Sequence, residues 1–275
     1  MFGGWQDHFL LLLLAPYTLC MAQKIAKVGD MWLTAQQVPR TLWDEFGFQE
    51  GSVLNEEGVA KSPGQKLERL RWPGGVLKFE LSNAVKSEHR NIIRSTLGEL
   101  QKKLDSCIEF REIDHGFRVI VEMGNECNSY VGRMFGPDFM ESQSIELAEG
   151  CAADPSSIEH EFLHALGVEH TQERTDRDRY VKINEENIKE EFKFAFSKLS
   201  EAEVSEFGLP YDFHSVMHYG PYAFSKNGKR TIETLDPSKQ DIIGKAKGVS
   251  EGDVLLLKRM YKCNNSKEGH HCKES

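Results

Sequence analysis

The chain has 275 residues, 39% of them apolar and 28% charged, with 23 Gly and 9 Pro. That composition excludes collagen-like, low-complexity and largely disordered chains and implies a packed core. Its 43 acidic against 34 basic side chains leave a formal charge of −9, which excludes the basic footprint of a nucleic-acid or anionic-membrane binder.

Residues 9–16 form one apolar run, and Cys20-Met21-Ala22 behind it offers a small-residue cleavage site. This predicts a secretory signal peptide over residues 1–22 and a secreted, extracellular product, although no Lys or Arg precedes the run; the alternative is a short buried element at a domain start. No later window reaches the ~20 consecutive apolar residues of a bilayer span. From residue 23 to about 71 the apolar pattern is modest, so this stretch reads as a separate lead segment. A break at Arg71-Trp72-Pro73-Gly74-Gly75 opens the main domain, where Val76 to Leu81 alternates as a half-buried strand does. The spacing of Ile93, Leu97, Leu100 and Leu104 predicts a helix over 87–105 with Ser87 as N-cap. Strands are predicted over 107–113, 117–121 and 144–147. The chain then turns helical from Ser156, is read as helical again over 184–199, becomes irregular, and ends in a helix opened by Ser250-Glu251-Gly252-Asp253.

Six Cys occur. Removal of Cys20 with the signal leaves Cys107, Cys127, Cys151, Cys263 and Cys272, an odd number, so two bridges are expected and the pairing stays open on spacing alone. Cys272, in a polar tail, is left to stay free, to be capped by a small thiol or to link chains. Asn264-Asn265-Ser266 is a glycosylation sequon, with Asn264 the acceptor.

The chemistry concentrates in His160-Glu161-Phe162-Leu163-His164-Ala165-Leu166-Gly167-Val168-Glu169-His170. Residues four apart share a helix face, so His160 and His164 can present two imidazoles to one metal. Gly167 can take a left-handed conformation that ends the helix and returns His170 as a third ligand. Three neutral imidazoles suit one Zn²⁺ per chain and leave a position open. Glu161 follows the first ligand and can take the proton of a metal-bound water whose pKa is lowered to about 7, then pass it to a leaving amine. His-Glu-x-x-His arises by chance in roughly 4 of 100 sequences of this composition, the extended pattern in roughly 1 of 10,000, so the long motif carries the reading. A purely structural zinc site is the competitor; such sites close with four protein ligands and favour Cys.

At these residues the chain resembles the astacin family of secreted zinc endopeptidases, a branch of the metzincins. The resemblance runs from Arg71-Trp72-Pro73-Gly74-Gly75-Val76 through Ser129-Tyr130-Val131-Gly132-Arg133, the zinc helix, Arg174-Thr175-Asp176-Arg177-Asp178-Arg179-Tyr180-Val181 and Tyr211-Asp212-Phe213-His214-Ser215-Val216-Met217-His218-Tyr219-Gly220 to Tyr261-Lys262-Cys263. It implies an α+β, metzincin-type zinc protease domain: a twisted mixed sheet and the zinc helix in the N-terminal half, and an irregular C-terminal half ending in a helix. It also implies a pro-segment over 23–61, a catalytic domain over 62–264 and a polar tail over 265–275. Met217 is expected to form a turn beneath the metal, and Tyr219 to act as a fifth zinc ligand and as oxyanion partner. The bridges implied are Cys107–Cys263 and Cys127–Cys151, and the strand around 144–147 is expected to be the edge that receives extended substrate. The partners implied are a protein or peptide substrate and a protease that activates the pro-segment, with a monomeric chain.

Two positions depart from the family. Where it has Glu after the third His, meeting the freed N-terminus, this chain has Thr171; Glu169 and Glu173 are near in sequence, but a displaced residue points its side chain elsewhere. Where the family silences its zymogen with Phe-x-Gly-Asp, this chain has Phe48-Gln49-Glu50-Gly51-Ser52, so cover through Glu50 or by sterics is expected instead; Gly29-Asp30 lies too far upstream. The tail pair His270-His271 is read as solvated, His214 and His218 as support or surface residues, and Arg174, Asp176, Arg177 and Asp178 as a structural ion-pair cluster. The alternative function is a non-catalytic secreted binding or adhesion protein that retains the zinc scaffold.

Overall fold

The computed structural model describes residues 25–28, 31–34, 70–134, 141–200 and 205–263. The expected signal peptide, Glu50, Ser52, Asn264, His270, His271 and Cys272 lie outside the described residues. In the lead segment β1 (Ile25–Val28) and β2 (Met31–Thr34) pair antiparallel, Ile25 opposite Thr34.

The main domain is α+β. Its five-stranded sheet comprises β3 (Val76–Leu81), β4 (Glu109–Glu112), β5 (Arg118–Met123), β6 (Asn128–Ser129) and β7 (Ser142–Leu147), in the order β4-β3-β5-β7-β6. Parallel pairing joins β4, β3, β5 and β7, while β6 runs antiparallel to β7. The alternation expected over β3 holds: Leu77, Phe79 and Leu81 are buried and Lys78 is exposed. Helix α1 (Ser87–Lys103) buries Ile93, Leu97 and Leu100 against the sheet. Its N-cap is Lys86, not Ser87, and makes no side-chain cap; Lys86 already has extended backbone and Ser87 is the first helical residue. After a short α2 (Glu149–Ala152) comes α3 (Pro155–Ala165), whose Phe162 meets Phe79 and Phe110 edge-on at 6.0 and 5.8 Å.

The edge expected at 144–147 is corrected. β7 is paired on both sides, with β5 along its length and with β6 through Asn128 opposite Glu146 and Ser129 opposite Ile145, so the outer strand of the sheet is β6. A strand of two residues has no periodicity to read, which is why the sequence concealed it. A second correction concerns 184–199, which forms 3-10 turns at Glu185–Asn187 and Glu190–Phe196. Here the backbone bonds to distant segments rather than one α-turn back: the Lys189 N–H donates to Phe224 O at 3.0 Å and the Leu199 N–H to Glu173 O at 2.9 Å.

A smaller core of Val181, Ile188, Phe196, Tyr211, Ile232 and Ile243 gathers this C-terminal half, with β8 (Val181–Ile183) antiparallel to β9 (Ile232–Thr234). Helix α4 (Glu251–Met260), the last element among the described residues, returns Leu257 and Met260 to the main core. Its capping box is the expected one, with Ser250 accepting from the Asp253 N–H and Asp253 accepting from the Ser250 N–H. Disulfides join Cys107 to Cys263 and Cys127 to Cys151.

Candidate metal centre and cleft

Both ends of α3 are satisfied by named groups. Asp154 caps the N-terminus, accepting from the Ser156 and Ser157 N–H groups at 3.3 and 3.0 Å, with Pro155 in the first turn. At the other end Gly167 takes φ +98°, its N–H donates to His164 O at 2.7 Å, and the Val168 N–H donates to Leu163 O at 3.0 Å. These two bonds make a Schellman motif. The Trp72 indole N–H donates to Ala165 O at 2.8 Å and the Tyr261 hydroxyl to Leu166 O at 2.9 Å, so no helix-end carbonyl from Leu163 to Leu166 is left without a donor.

The turn at Gly167 brings His170 back to His160 and His164. Ring centroids stand 4.7 Å apart for His160 and His164, 5.3 Å for His160 and His170, and 4.5 Å for His164 and His170. One ligand atom from each of the three lies within 4.8 Å of the others. Each ring is held from behind through Nδ1: His160 bonds Val216 O at 2.8 Å, His164 bonds Val168 O at 2.8 Å, and His170 bonds the Glu173 carboxylate at 3.2 Å. Carbonyl oxygens and a carboxylate only accept, so Nδ1 carries the proton and Nε2 presents a bare lone pair. Burial lowers the pKa of all three imidazoles, most strongly for His164 and His170, where neighbouring imidazoles add to the effect. The rings are therefore neutral at pH 7, the form a metal requires.

The Nε2 atoms of His164 and His170 face each other at 3.2 Å. Two nitrogens ~2.0–2.1 Å from one tetrahedral ion stand about 3.3 Å apart. Converging lone pairs with no proton to share fit a cation between them, and a three-imidazole donor set fits zinc.

Glu161, buried, and His160 line a cavity of about 200 Å³ together with Ser156, Ser157, Val216, His218, Gly244 and Ala246. A larger cavity of about 410 Å³ is lined by His170 together with Glu169, Thr171, Tyr211, Asp212, Glu251 and Met260 among others. The smaller one brings His160 and Glu161 into one wall. Tyr219 comes to the site from 49 positions beyond His170, its ring centroid 4.4 Å from that of His170. Met217 is buried in the main core, and its carbonyl accepts from the Thr171 N–H at 3.1 Å. The Ser215–Met217 turn thus grips the residue after the third His and, through Val216 O, the first His.

Several supporting residues escaped sequence reasoning. Gln172 accepts from the Tyr219 N–H at 3.2 Å and so ties Tyr219 to the His170 segment. Asp253 accepts from the Val216 N–H at 3.0 Å and the Ser215 hydroxyl at 2.6 Å, bracing from α4 the peptide that holds His160. Glu173 carried a readable signal: it stands three residues after His170, and a 3-10 turn at Thr171–Glu173 returns to the same face every three residues. His218 is buried and bonded to the Tyr211 hydroxyl at 2.8 Å, a support residue, whereas His214 is exposed. The cluster after the motif pairs as expected: Arg174 chelates Asp176 and reaches Leu209 O and Pro210 O, and buried Arg177 reaches Gln172 O, Phe196 O and Asp178.

Known proteins are similar to this chain. The sequence model described as Astacin, a peptidase family, matches residues 64–262. The chain is 36% identical over 198 residues to zinc metalloproteinase nas-13 of Caenorhabditis elegans, a match covering 70% of this chain and 41% of that protein. It is 34% identical over 282 residues to zinc metalloproteinase nas-6 of the same nematode, covering 95% of this chain and 78% of that one. Among solved structures it is similar to high choriolytic enzyme 1, a hatching enzyme zinc-protease from the medaka fish Oryzias latipes, with a TM-score of 0.62 and 30% identity over 70% of this chain and 93% of that one. The chain thus spans less than half of nas-13 and about four-fifths of nas-6.

Proposed function

The chain belongs to the astacin family of peptidases, and from that premise we propose that it is a secreted zinc endopeptidase that hydrolyses internal peptide bonds of proteins. The observation that carries this reading is the convergence of three neutral imidazoles beside the buried carboxylate of Glu161, in the wall of an open cavity.

His160, His164 and His170 would hold the ion through Nε2, one Zn²⁺ per chain. When bound, zinc supplies Lewis-acid chemistry, polarising the scissile carbonyl and bringing the pKa of a coordinated water to about 7. Glu161 receives the proton of the attacking water on its carboxylate and delivers it to the leaving amine. Tyr219, beside His170, would be a further ligand to the ion and would offer its phenol O–H to the oxygen on which negative charge develops. The outer strand β6 receives an extended substrate by backbone pairing.

Two disulfides support an oxidising, extracellular destination after removal of a signal over 1–22. No helix among the described residues is long and apolar enough to cross a membrane. The lead segment, 23–61, covers the cleft until a second protease removes it; the position of β2 next to β6 supports this. Full peptidase activity in unprocessed precursor would overturn that cover.

The processed chain is expected to cut an unfolded protein and to stop when zinc is chelated. Glu161→Gln should keep stoichiometric zinc and lose about 10²–10⁴-fold in rate, the range of general acid–base catalysis. Wild-type turnover in E161Q sinks the mechanism, and a zinc-loaded chain that cuts no protein leaves the binding scaffold as the function.

A further inference from the structure

The three imidazoles are not supported alike. His160 and His164 donate Nδ1–H to neutral backbone carbonyls, Val216 O and Val168 O. His170 alone donates to a carboxylate, Glu173 Oε2, at 3.2 Å, and the two side chains are only 1% and 8% exposed. We infer that Glu173 is a positioning residue for the metal centre, fixing the ring of His170 through Nδ1 and strengthening Nε2 as a zinc donor.

The local backbone makes the contact. His170 is the N-cap of the 3-10 turn Thr171–Glu173, so the side chain three residues later comes back beneath the ring. That turn is anchored at both ends: the Thr171 N–H donates to Met217 O at 3.1 Å, the Glu173 N–H to His170 O at 3.1 Å, and Glu173 O accepts from the Leu199 N–H at 2.9 Å. The backbone of Glu173 is thereby held in one place. An ionised acceptor behind an imidazole polarises the ring toward its other nitrogen, makes that nitrogen a better donor, and locks the tautomer that leaves Nε2 bare. The same carboxylate places negative charge one ring away from a dication, where backbone carbonyls supply only dipoles. Glu173 touches neither ion nor substrate; it acts through His170.

The inference rests on the zinc reading of the three imidazoles, and the experiment separates the two. Zinc dissociation constants of the full wild-type chain, E173Q and E173A are measured by chelator competition, alongside urea unfolding of the zinc-free proteins. E173Q keeps the shape and one acceptor while removing the charge, and is expected to bind zinc about 10-fold more weakly; E173A moves toward about 100-fold, within the range for partners behind a ligating His. The zinc-free unfolding midpoint of E173Q should stay at the wild-type value, which a merely structural carboxylate would not allow. Affinity within twofold of wild type in folded E173Q overturns the inference and leaves the zinc site standing. Absence of zinc binding in the wild-type chain overturns both. Should the variants not fold, nitrogen-15 spectra of the zinc-loaded wild type decide: the His170 Nδ1 proton should be downfield and slow to exchange, and a His170 ring without a proton on Nδ1 sinks the inference.

Discussion

At Gly167 the backbone adopts φ +98°, and a Cβ built there meets Met260 Cε at 2.9 Å. The contact is to the end of a flexible side chain and can relax; the backbone conformation cannot. Gly167→Ala should therefore cost about 1–2 kcal/mol from left-handed strain alone, read as a lower urea midpoint in zinc-free chain. It should also weaken zinc, because His170 follows three residues later on the same turn. An unchanged midpoint would mean that the helix ends by some means other than this turn. The same scale explains why His170 has a carboxylate behind it: in a 3-10 turn, position 173 is the one that returns beneath position 170, and here that residue is Glu.

Between elements, α4 and the Ser215–Met217 turn share one carboxylate. Asp253 caps its own helix through the Ser250 N–H at 2.9 Å and accepts from Ser215 and Val216, while Val216 O holds His160. Burial raises the pKa of Asp253 above its ordinary 3.8, although hydrogen bonds from Ser215, Ser250 and Val216 pull it back. The folded chain therefore keeps this proton at pH values where the unfolded chain has lost it, and stability falls as pH rises from 3.8 through the raised value. Asp253→Asn should flatten that part of the stability–pH curve. It should also cost about 1–3 kcal/mol near neutral pH, since the amide cannot accept from all three donors. Urea midpoints of wild type and D253N across the acid range check both; parallel curves would show that Asp253 does not titrate there. The packing of α3 is less delicate, because its apolar face, with Phe162 wedged between Phe79 and Phe110, belongs to the main core.

Over the whole molecule, the Cys107–Cys263 bridge closes 156 residues and ties the segment after α1 to the end of α4, whereas Cys127–Cys151 closes 24 beside the cleft. In the chain-entropy account the longer loop is worth about 1.5 kcal/mol more, with either bridge contributing about 2–5 kcal/mol. Replacing both Cys107 and Cys263 with Ser should thus lower the thermal midpoint more than replacing Cys127 and Cys151. The reverse order would show that the shorter bridge holds the cleft wall in a way loop entropy does not describe. The longer bridge also matters to the site: α4 carries Asp253 behind Val216 and Met260 against Gly167.

What the linear sequence determines by itself is local. The α3 motif, the glycine that ends it, the alternation of β3 and the capping box of α4 all depend on residues within one or two turns of each other, where backbone geometry alone decides which side chains meet. The roles expected of Met217 and Tyr219, and the pairing of the two bridges, rest on family likeness, since spacing leaves them open. Tertiary structure alone decided the rest. It assigned the outer strand to the two residues of β6 and drew 184–199 into 3-10 turns through bonds to Phe224 and Glu173. It placed Tyr219 against His170 and the Val216 carbonyl behind the ring of His160. Those choices are made by contacts tens of residues apart, and a linear pattern records which side chains are available but not which ones the packed chain will bring within about 3 Å.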